Sequence, residues 1–507
     1  MSKSTKLIAV VVVLAIAYPA AAWYTGKNVE AKLTESSLNQ AKSSPYVKVI
    51  KQDYQRGVFS STQDTTLELT FPGIKKPDFP LPGASAEAGT DANTAGQPAT
   101  DNSAPAAPVG TAAVPAVPAA QTPPADPALA EKASKPLQIH FINHIQHGPL
   151  PAFRGYGAAL IKTELVLDAE SKAQLAKLFG TANPIDITSR LNYGGSGRVS
   201  ISSPAFNTVM EKDKEKVNWQ GLSLEVGFEK DYKAFNVVMS APGLTVDGLE
   251  GQSFKLGAVS LKGEVTQAYP GTRLYLGKTE TTVANISYTD KVEAKKSFTL
   301  DQFKLGTEAT MKDELMDFVA RIGAAKLSFD NQEFTDFHYD YGVKRIHGPS
   351  LAKISVAYTD VMSAPGDPEK RAALKAIWDE VATIVLQKEP ELVLERLSVM
   401  TVDGEAKLAG SAKLVGATVA DTANPMLLLP KLQSNLDVTL TEALVVKLGG
   451  ASQKDPEAQK AAQAAMAQQI QAFEGQGFIT RSGKLLSSKI EWKQGALTIN
   501  GKPFSKQ

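Results

Sequence analysis

Beyond Leu137 this chain places apolar residues at every second position in run after run, and that period commits it to β structure. Leu222, Leu224, Val226 and Phe228 alternate with Ser223, Glu225 and Gly227. Val259, Leu261, Gly263 and Val265 repeat the pattern, as do Phe337, Tyr339, Tyr341 and Val343. Successive strand side chains point to opposite faces, so each run offers one apolar and one polar face. Turn pairs such as Pro242-Gly243, Asp247-Gly248, Pro270-Gly271 and Asp403-Gly404 separate the runs. Short strands joined by such turns predict a large antiparallel sheet, curved or folded into a sandwich.

A few helices interrupt the pattern. Asp367-Pro368 supplies an N-cap and a first-turn proline, followed by an apolar face of Leu374, Ile377, Trp378, Val381, Ile384 and Val385, with Pro390 as the stop. Asp455-Pro456 opens another, with Met466, Ile470 and Phe473 on one side and Gly475 at its end. Residues 171–179 form a shorter candidate. Residues 490–501 read as a hairpin turning near Gln494-Gly495. The expected class is α+β and β-dominated, with an N-terminal membrane helix ahead of the sheet.

That membrane helix is predicted from Lys3 and Lys6 followed by eighteen uncharged residues, 7–24. The bilayer core is about 30 Å thick and needs about twenty apolar residues, so the run is at the short end of a span. Trp23 and Tyr24 fall where interfacial aromatics belong, and Lys27 follows. The competing reading is a signal peptide cleaved after Ala22, where Ala20-Ala21-Ala22 offers small residues. The retained anchor is favoured; under either reading the N-terminal lysines stay cytoplasmic and the bulk is exported. The 507 residues contain no cysteine, which excludes disulfides, thiol nucleophiles and a lipidated cysteine. With 54 basic and 53 acidic side chains there is no field to draw in nucleic acid.

Residues 1–26 are therefore read as a signal anchor and 27–81 as the first part of an exported β-rich domain. An amphipathic helix is expected over 26–42 with Val29, Leu33 and Leu38 on one side, and strands over 46–50 and 67–71. From about Pro82 to Pro127 the composition is Ala, Pro, Thr, Gly and Ser, which cannot bury enough surface to offset its ordering entropy. Residues 82–135 are thus a disordered insertion in a loop of one domain, and 136–507 are its remainder, with two related β units suggested.

The search for chemistry begins with five histidines: His140, His144, His147, His338 and His347. On a strand His140 and His144 share a face that His147 does not, so the three do not form a zinc set. His147-Gly148-Pro149 recurs as His347-Gly348-Pro349, read as two strand-ending turns. Residues 193–197, Tyr-Gly-Gly-Ser-Gly, lack the Lys-Ser/Thr ending of a phosphate loop and read as a β-turn; 211–216 read as a charged hairpin tip. No nucleophile elbow or zinc helix is present. No cofactor, metal site or catalytic residue is expected.

Several motifs do match a family. Trp23-Tyr24-Thr25-Gly26-Lys27, Tyr54-Gln55-Arg56-Gly57-Val58-Phe59-Ser60-Ser61, His147-Gly148-Pro149, Ile187-Thr188-Ser189-Arg190, Tyr193-Gly194-Gly195 and the closing residues 495–501 resemble the YdgA-like family of bacterial envelope proteins. The resemblance runs nearly end to end, the Ala/Pro insertion being a departure. It implies a Gram-negative bacterium, an inner-membrane anchor and a periplasmic body, and it carries no established activity. Tyr54, Arg56, Gly57, Phe59, His147, Gly148, Pro149 and His347 are the candidate binding or structural residues, and Trp23, Tyr24 and Lys27 the membrane-interface residues. Arg56 is expected to bond loop carbonyls over Tyr54 and Phe59. The expected function is a non-enzymatic anchored protein that binds a lipid or an envelope protein. Its general design is similar to that of AsmA-like lipid-conducting proteins, an analogy of fold alone. A hydrolase with His147 or His347 as general base is the alternative, and a structural homodimer the third reading.

Overall fold

A computed structural model describes residues 18–34, 47–69, 137–210, 214–249, 251–291, 297–330, 332–363, 367–422, 424–451 and 455–504. Most of the apolar N-terminal run and the whole Ala/Pro tract lie outside the described residues, as does Leu38. In chain order the first strands are β1 (Val47–Arg56), β2 (Ser60–Leu69), β3 (Leu137–His147), β4 (Ala159–Leu165), β5 (Asp186–Leu191) and β6 (Gly197–Ser203). Next come β7 (Phe206–Val209), β8 (Lys216–Trp219), β9 (Leu222–Phe228), β10 (Ala234–Ala241), β11 (Leu244–Asp247), β12 (Ser253–Leu256) and β13 (Val259–Gln267). Long strands follow: β14 (Tyr275–Thr289), β15 (Phe298–Lys312), β16 (Leu315–Phe329), β17 (Gln332–His347), β18 (Glu391–Thr401), β19 (Gly404–Leu414) and β20 (Leu432–Thr441). The chain closes with β21 (Thr480–Ser482), β22 (Leu485–Lys493), β23 (Ala496–Ile499) and β24 (Lys502–Pro503).

All of these strands belong to one antiparallel sheet rather than to a sandwich. Its spine runs β1 to β6 in order, then β9, β10 and β13 to β20, ending in β22 to β24. A side ladder of β7, β8, β11 and β12 rejoins it at β14. Strands β2 and β3 pair directly, Ser61 opposite Ile145 and Thr65 opposite Phe141, although sixty-seven residues, 70–136, separate them in the chain.

Register makes the sheet two-faced. Across twelve strands, β5 to β20, Ile187 stands beside Ile201, Leu224, Met239, Leu261, Thr281, Leu305, Ile322, Tyr339, Leu397, Leu408 and Val438 in turn. A neighbouring row on the same face includes Val199, Val226, Val237, Ala320, Tyr341, Leu394, Leu436 and Ile490. The other face carries Glu225, Lys262, Glu280, Arg321, Asp340 and Arg396. Ion pairs lace it together, Lys278 to Glu308 at 3.0 Å and Arg321 to Glu395 at 3.5 Å among them. None of the twelve residues of the first apolar row is fully buried.

The helices are α1 (18–34), α2 (Ala169–Phe179), α3 (Gly348–Ser363), α4 (Pro368–Gln387), α5 (Val419–Thr422), α6 (Pro425–Leu428), α7 (Glu442–Gly450) and α8 (Pro456–Gln476). Asp367 and Asp455 cap α4 and α8 as expected, accepting from Glu369 N and Ala458 N. Helix α8 continues past Gly475 to a left-handed Gly477, since a helical glycine is tolerated and only a left-handed one makes the stop. Helices α3 and α4 pack together beside β17, and α7 lies between α8 and strands β19 and β20. Among the described residues no helix is long and apolar enough to cross a membrane. Helix α1 already includes Tyr18, earlier than the expected start at Gly26.

The compact core is small. Val29 of α1 packs on Ile145, Ala158, Ala159 and Ile161, with Leu33, Tyr54 and Leu191 around them. Ile145 and Ile161 are paired neighbours in β3 and β4, and their row continues on the same face through Ser189 to Val199. Helix α1 therefore covers one end of the apolar face. Replacing Ile145 with Ala is expected to cost about 3 kcal/mol, and the part-buried Ile322 less than about half that; equal losses in denaturant unfolding would contradict this division.

Candidate functional site

The described part of α1 presents Ala22, Thr25, Gly26 and Val29 to the sheet, all buried and spaced three or four residues apart. That spacing is one face of a helix. The residue beneath it is His147 at the end of β3, 2 % exposed. Gly26 lies so close to the imidazole that a Cβ there would collide with the ring. Only glycine permits this approach.

The same imidazole is held from the other side by the turn between β1 and β2. Its Nδ1 lies 3.1 Å from the Val58 carbonyl and its Nε2 2.8 Å from Ser61 Oγ. A carbonyl can only accept, so Nδ1 carries the proton and Nε2 accepts from the serine hydroxyl. The His147 backbone N–H also donates to the Phe59 carbonyl at 2.8 Å. Burial pushes the imidazole pKa below its ordinary value; the Val58 bond opposes this and the Arg56 charge adds to it. His147 is thus a neutral residue whose two nitrogens are both used by the turn. Burial likewise raises the Tyr54 phenol.

Three more segments close around this point. The Gly148-Pro149 peptide is cis, and Gly148 N–H donates to Ala158 O at 2.7 Å. A side chain at Gly148 would strike the Gly157 carbonyl and the Tyr193 hydroxyl. That hydroxyl is 3.2 Å from Thr25 Oγ1, which itself donates to Ala21 O, so Tyr193 donates to Thr25. Arg190 donates to the Arg154 carbonyl. Arg56 pairs with Glu30 at 2.8 Å and lies 5.3 Å from the Trp23 ring centroid. Its partners are on α1 rather than the loop carbonyls expected from sequence, because α1 passes over the end of β1. Tyr54 does pack into the core, whereas Phe59 turns outward and stacks on Tyr18 at 5.9 Å. Tyr24 and Lys27 are exposed.

His347 belongs to a different place. Its Nδ1 is 2.7 Å from Ser350 Oγ, and Gly348-Pro349 opens helix α3 instead of reversing the chain. The two His-Gly-Pro strings are therefore not equivalent: the first precedes a loop returning to β4, the second supplies a helix start. His140 and His144 pair with Asp64 at 2.9 Å and Glu164 at 3.3 Å on the other face of the sheet. Among the described residues no group of three or more His, Asp or Glu side chains is placed to hold a metal. Residues 193–197 form the expected turn between β5 and β6, with Gly195 N donating to Asn192 O at 3.0 Å. Sequence reasoning overlooked Thr25, Gly26, Ser61 and Tyr193 as contact residues. All four sit inside quoted motifs, and only their convergence in space marks them.

These features define a class: a protein with an open, two-faced antiparallel sheet and an N-terminal helix locked onto one end of it. The chain belongs to the family described as bacterial protein of unknown function (DUF945), whose model matches residues 1–507. It is 23% identical to Protein YdgA of Escherichia coli (strain K12) over 551 residues, spanning all of this chain and 95% of that protein. No solved structure matches it.

Gly26→Val is expected to release α1, read as faster hydrogen exchange across 22–33 and loss of the Trp23 contact with Arg56. A pH effect follows as well. Because the folded-state pKa of His147 is lowered, the unfolded chain binds a proton first on acidification. Its stabilisation is present above about pH 6.5 and is lost as pH falls below that value. The fall in stability from pH 7.5 to 5.5 is expected to be smaller in His147→Asn than in the natural protein, and an identical pH profile would refute the assignment.

Proposed function

We propose that this protein is a non-enzymatic, inner-membrane-anchored periplasmic protein whose apolar sheet face binds the acyl chains of lipid. The single observation behind this reading is the apolar row, part-buried and nowhere fully buried, that begins beside α1 and continues across twelve strands. At about 4.8 Å per strand it extends for about 50 Å, longer than the thickness of a bilayer core. An apolar strip of that length that is nowhere fully buried is suited to recognition, since a folded body rarely leaves one open. Its position suits the task. The helix that takes up the last seven residues of the apolar N-terminal run sits on the same face, at one end of the strip, so a chain leaving the bilayer meets apolar side chains from the start.

A hydrolase is a poorer fit. Ser61 and His147 do make a short contact, but both are buried and α1 lies against the imidazole. A substrate has no path to the serine hydroxyl while the helix is docked. His347 sits between Ser350 Oγ at 2.7 Å and the exposed Glu314 carboxylate at 3.7 Å, at the start of helix α3.

The test is site-specific photocrosslinking in bacterial membranes. A photoreactive residue at Leu224 or Ile322 is expected to give phospholipid adducts, and one at Lys262 or Arg321 on the opposite face none. Aspartate at both Leu224 and Ile322 is expected to abolish lipid retention in native mass spectrometry while leaving the circular dichroism unchanged. Protein adducts in place of lipid at Leu224 and Ile322 would favour an envelope protein as the ligand.

A further inference from the structure

We propose that the folded body itself is seated on the bilayer surface, through a collar of aromatic side chains around the membrane-proximal end of α1. The seat is separate from the apolar sheet face, and it rests on the anchoring part of the reading above. Three chain segments build it. Tyr18 of α1 stacks on Phe59 from the β1–β2 turn and, at 6.0 Å and 11°, on Phe153 from the loop after β3. Tyr18 also donates to the Leu150 carbonyl at 3.1 Å. Tyr156, in the same loop, leans on Tyr193 at 5.2 Å.

These rings are outward, not buried. Phe153 is 82% exposed and Tyr156 72%, while Phe59 is about half exposed. Phe153 is held there at a cost, since Ala152 and Phe153 have φ of 52° and 56°. That left-handed region disfavours residues carrying a Cβ; the Tyr18 stack and the bond from Phe153 N–H to the Leu150 carbonyl hold Phe153 there with most of its ring still open. Water is a poor partner for such a ring. A membrane interface is a good one, because Phe, Tyr and Trp gain there from apolar contact while hydroxyl and indole groups stay hydrated.

The occupant follows from where the collar sits. Residues 7–17 of the uncharged run lead directly into Tyr18, at its centre, and 18–24, the rest of the run, are the first turns of α1. Trp23 and Tyr24 are exposed less than two turns further along α1, within about 9 Å of Tyr18 at 1.5 Å per residue. Arg154, exposed between Phe153 and Tyr156, and Lys27 add positive charge suited to anionic headgroups. An anchor alone would let the body swing about residue 18. The collar fixes its tilt, and with it the direction in which the apolar strip leaves the membrane.

The absence of cysteine makes the test clean. Full-length protein carrying one environment-sensitive fluorophore at Tyr156→Cys, Phe153→Cys or Val402→Cys is reconstituted into phosphatidylethanolamine–phosphatidylglycerol vesicles containing a shallow doxyl-lipid quencher. Val402, in the β18–β19 turn and 86% exposed, is the reference. Labels at 153 and 156 are expected to be blue-shifted and quenched, and the label at 402 neither. Adding Phe153→Ser to the Tyr156→Cys reporter is expected to reduce its quenching without preventing vesicle flotation. Flotation with unquenched labels at 153 and 156 overturns the seat alone. Failure of the full chain to float overturns both the seat and the anchor. Protection of both labels from aqueous iodide in detergent solution, with no quenching in vesicles, assigns the collar to a protein contact and also overturns the seat.

Discussion

Strand register is the constraint on which the rest of this molecule depends. Side chains alternate across a sheet, so slipping any strand by one residue would exchange its apolar and polar faces. Twelve strands nevertheless keep their apolar residues in phase from Ile187 to Val438. Where the alternation breaks, a bulge restores it. In β18 the apolar spacing widens to three between Leu394 and Leu397, and the register shifts at that point. The two residues between, Glu395 and Arg396, both reach charged partners, Arg321 and Asp336. A regular strand would have turned one of them onto the apolar face.

A sheet so built needs something to limit exposure at its ends, and α1 does this at β3 and β4. The contact is small but tightly specified. A glycine on the helix meets a buried neutral imidazole whose nitrogens are taken by Val58 and Ser61. Arg56 adds a bond to Glu30, a half-exposed pair worth about 1 kcal/mol at most, plus the Trp23 ring. The energy of the arrangement therefore lies mainly in burial of Val29 and Ile145, and the hydrogen bonds determine which face of the helix docks.

Much of this was legible in the chain. The runs at Leu222, Val259 and Phe337 are strands, and Asp367-Pro368 and Asp455-Pro456 start helices, because alternation and capping are local. The equivalence drawn between His147-Gly148-Pro149 and His347-Gly348-Pro349 failed for the same reason. Three residues do not define a turn: Pro349 is followed by helix-compatible residues, and Gly348 N–H donates to the distant Glu314 carbonyl, whereas Pro149 is followed by a loop returning to β4. Arg56 lies in a motif that the chain itself singles out, but its partners Glu30 and Trp23 are on α1, and nothing local reveals that this helix crosses above it.

What the sequence determined by itself is whatever a few neighbouring residues can decide: strand periodicity, helix starts, turns, the absence of thiol chemistry, and which short motifs carry information. What only the tertiary structure decided is how those pieces meet. Long-range pairing joins β2 to β3 across residues 70–136 and lines up the apolar row across strands far apart in the chain. It also gathers Gly26, Arg56, Ser61, His147 and Tyr193 around one helix. Backbone pairing energy is nearly the same for any partner strand, so the choice among partners rests on side-chain burial over the whole sheet. No local window contains that sum.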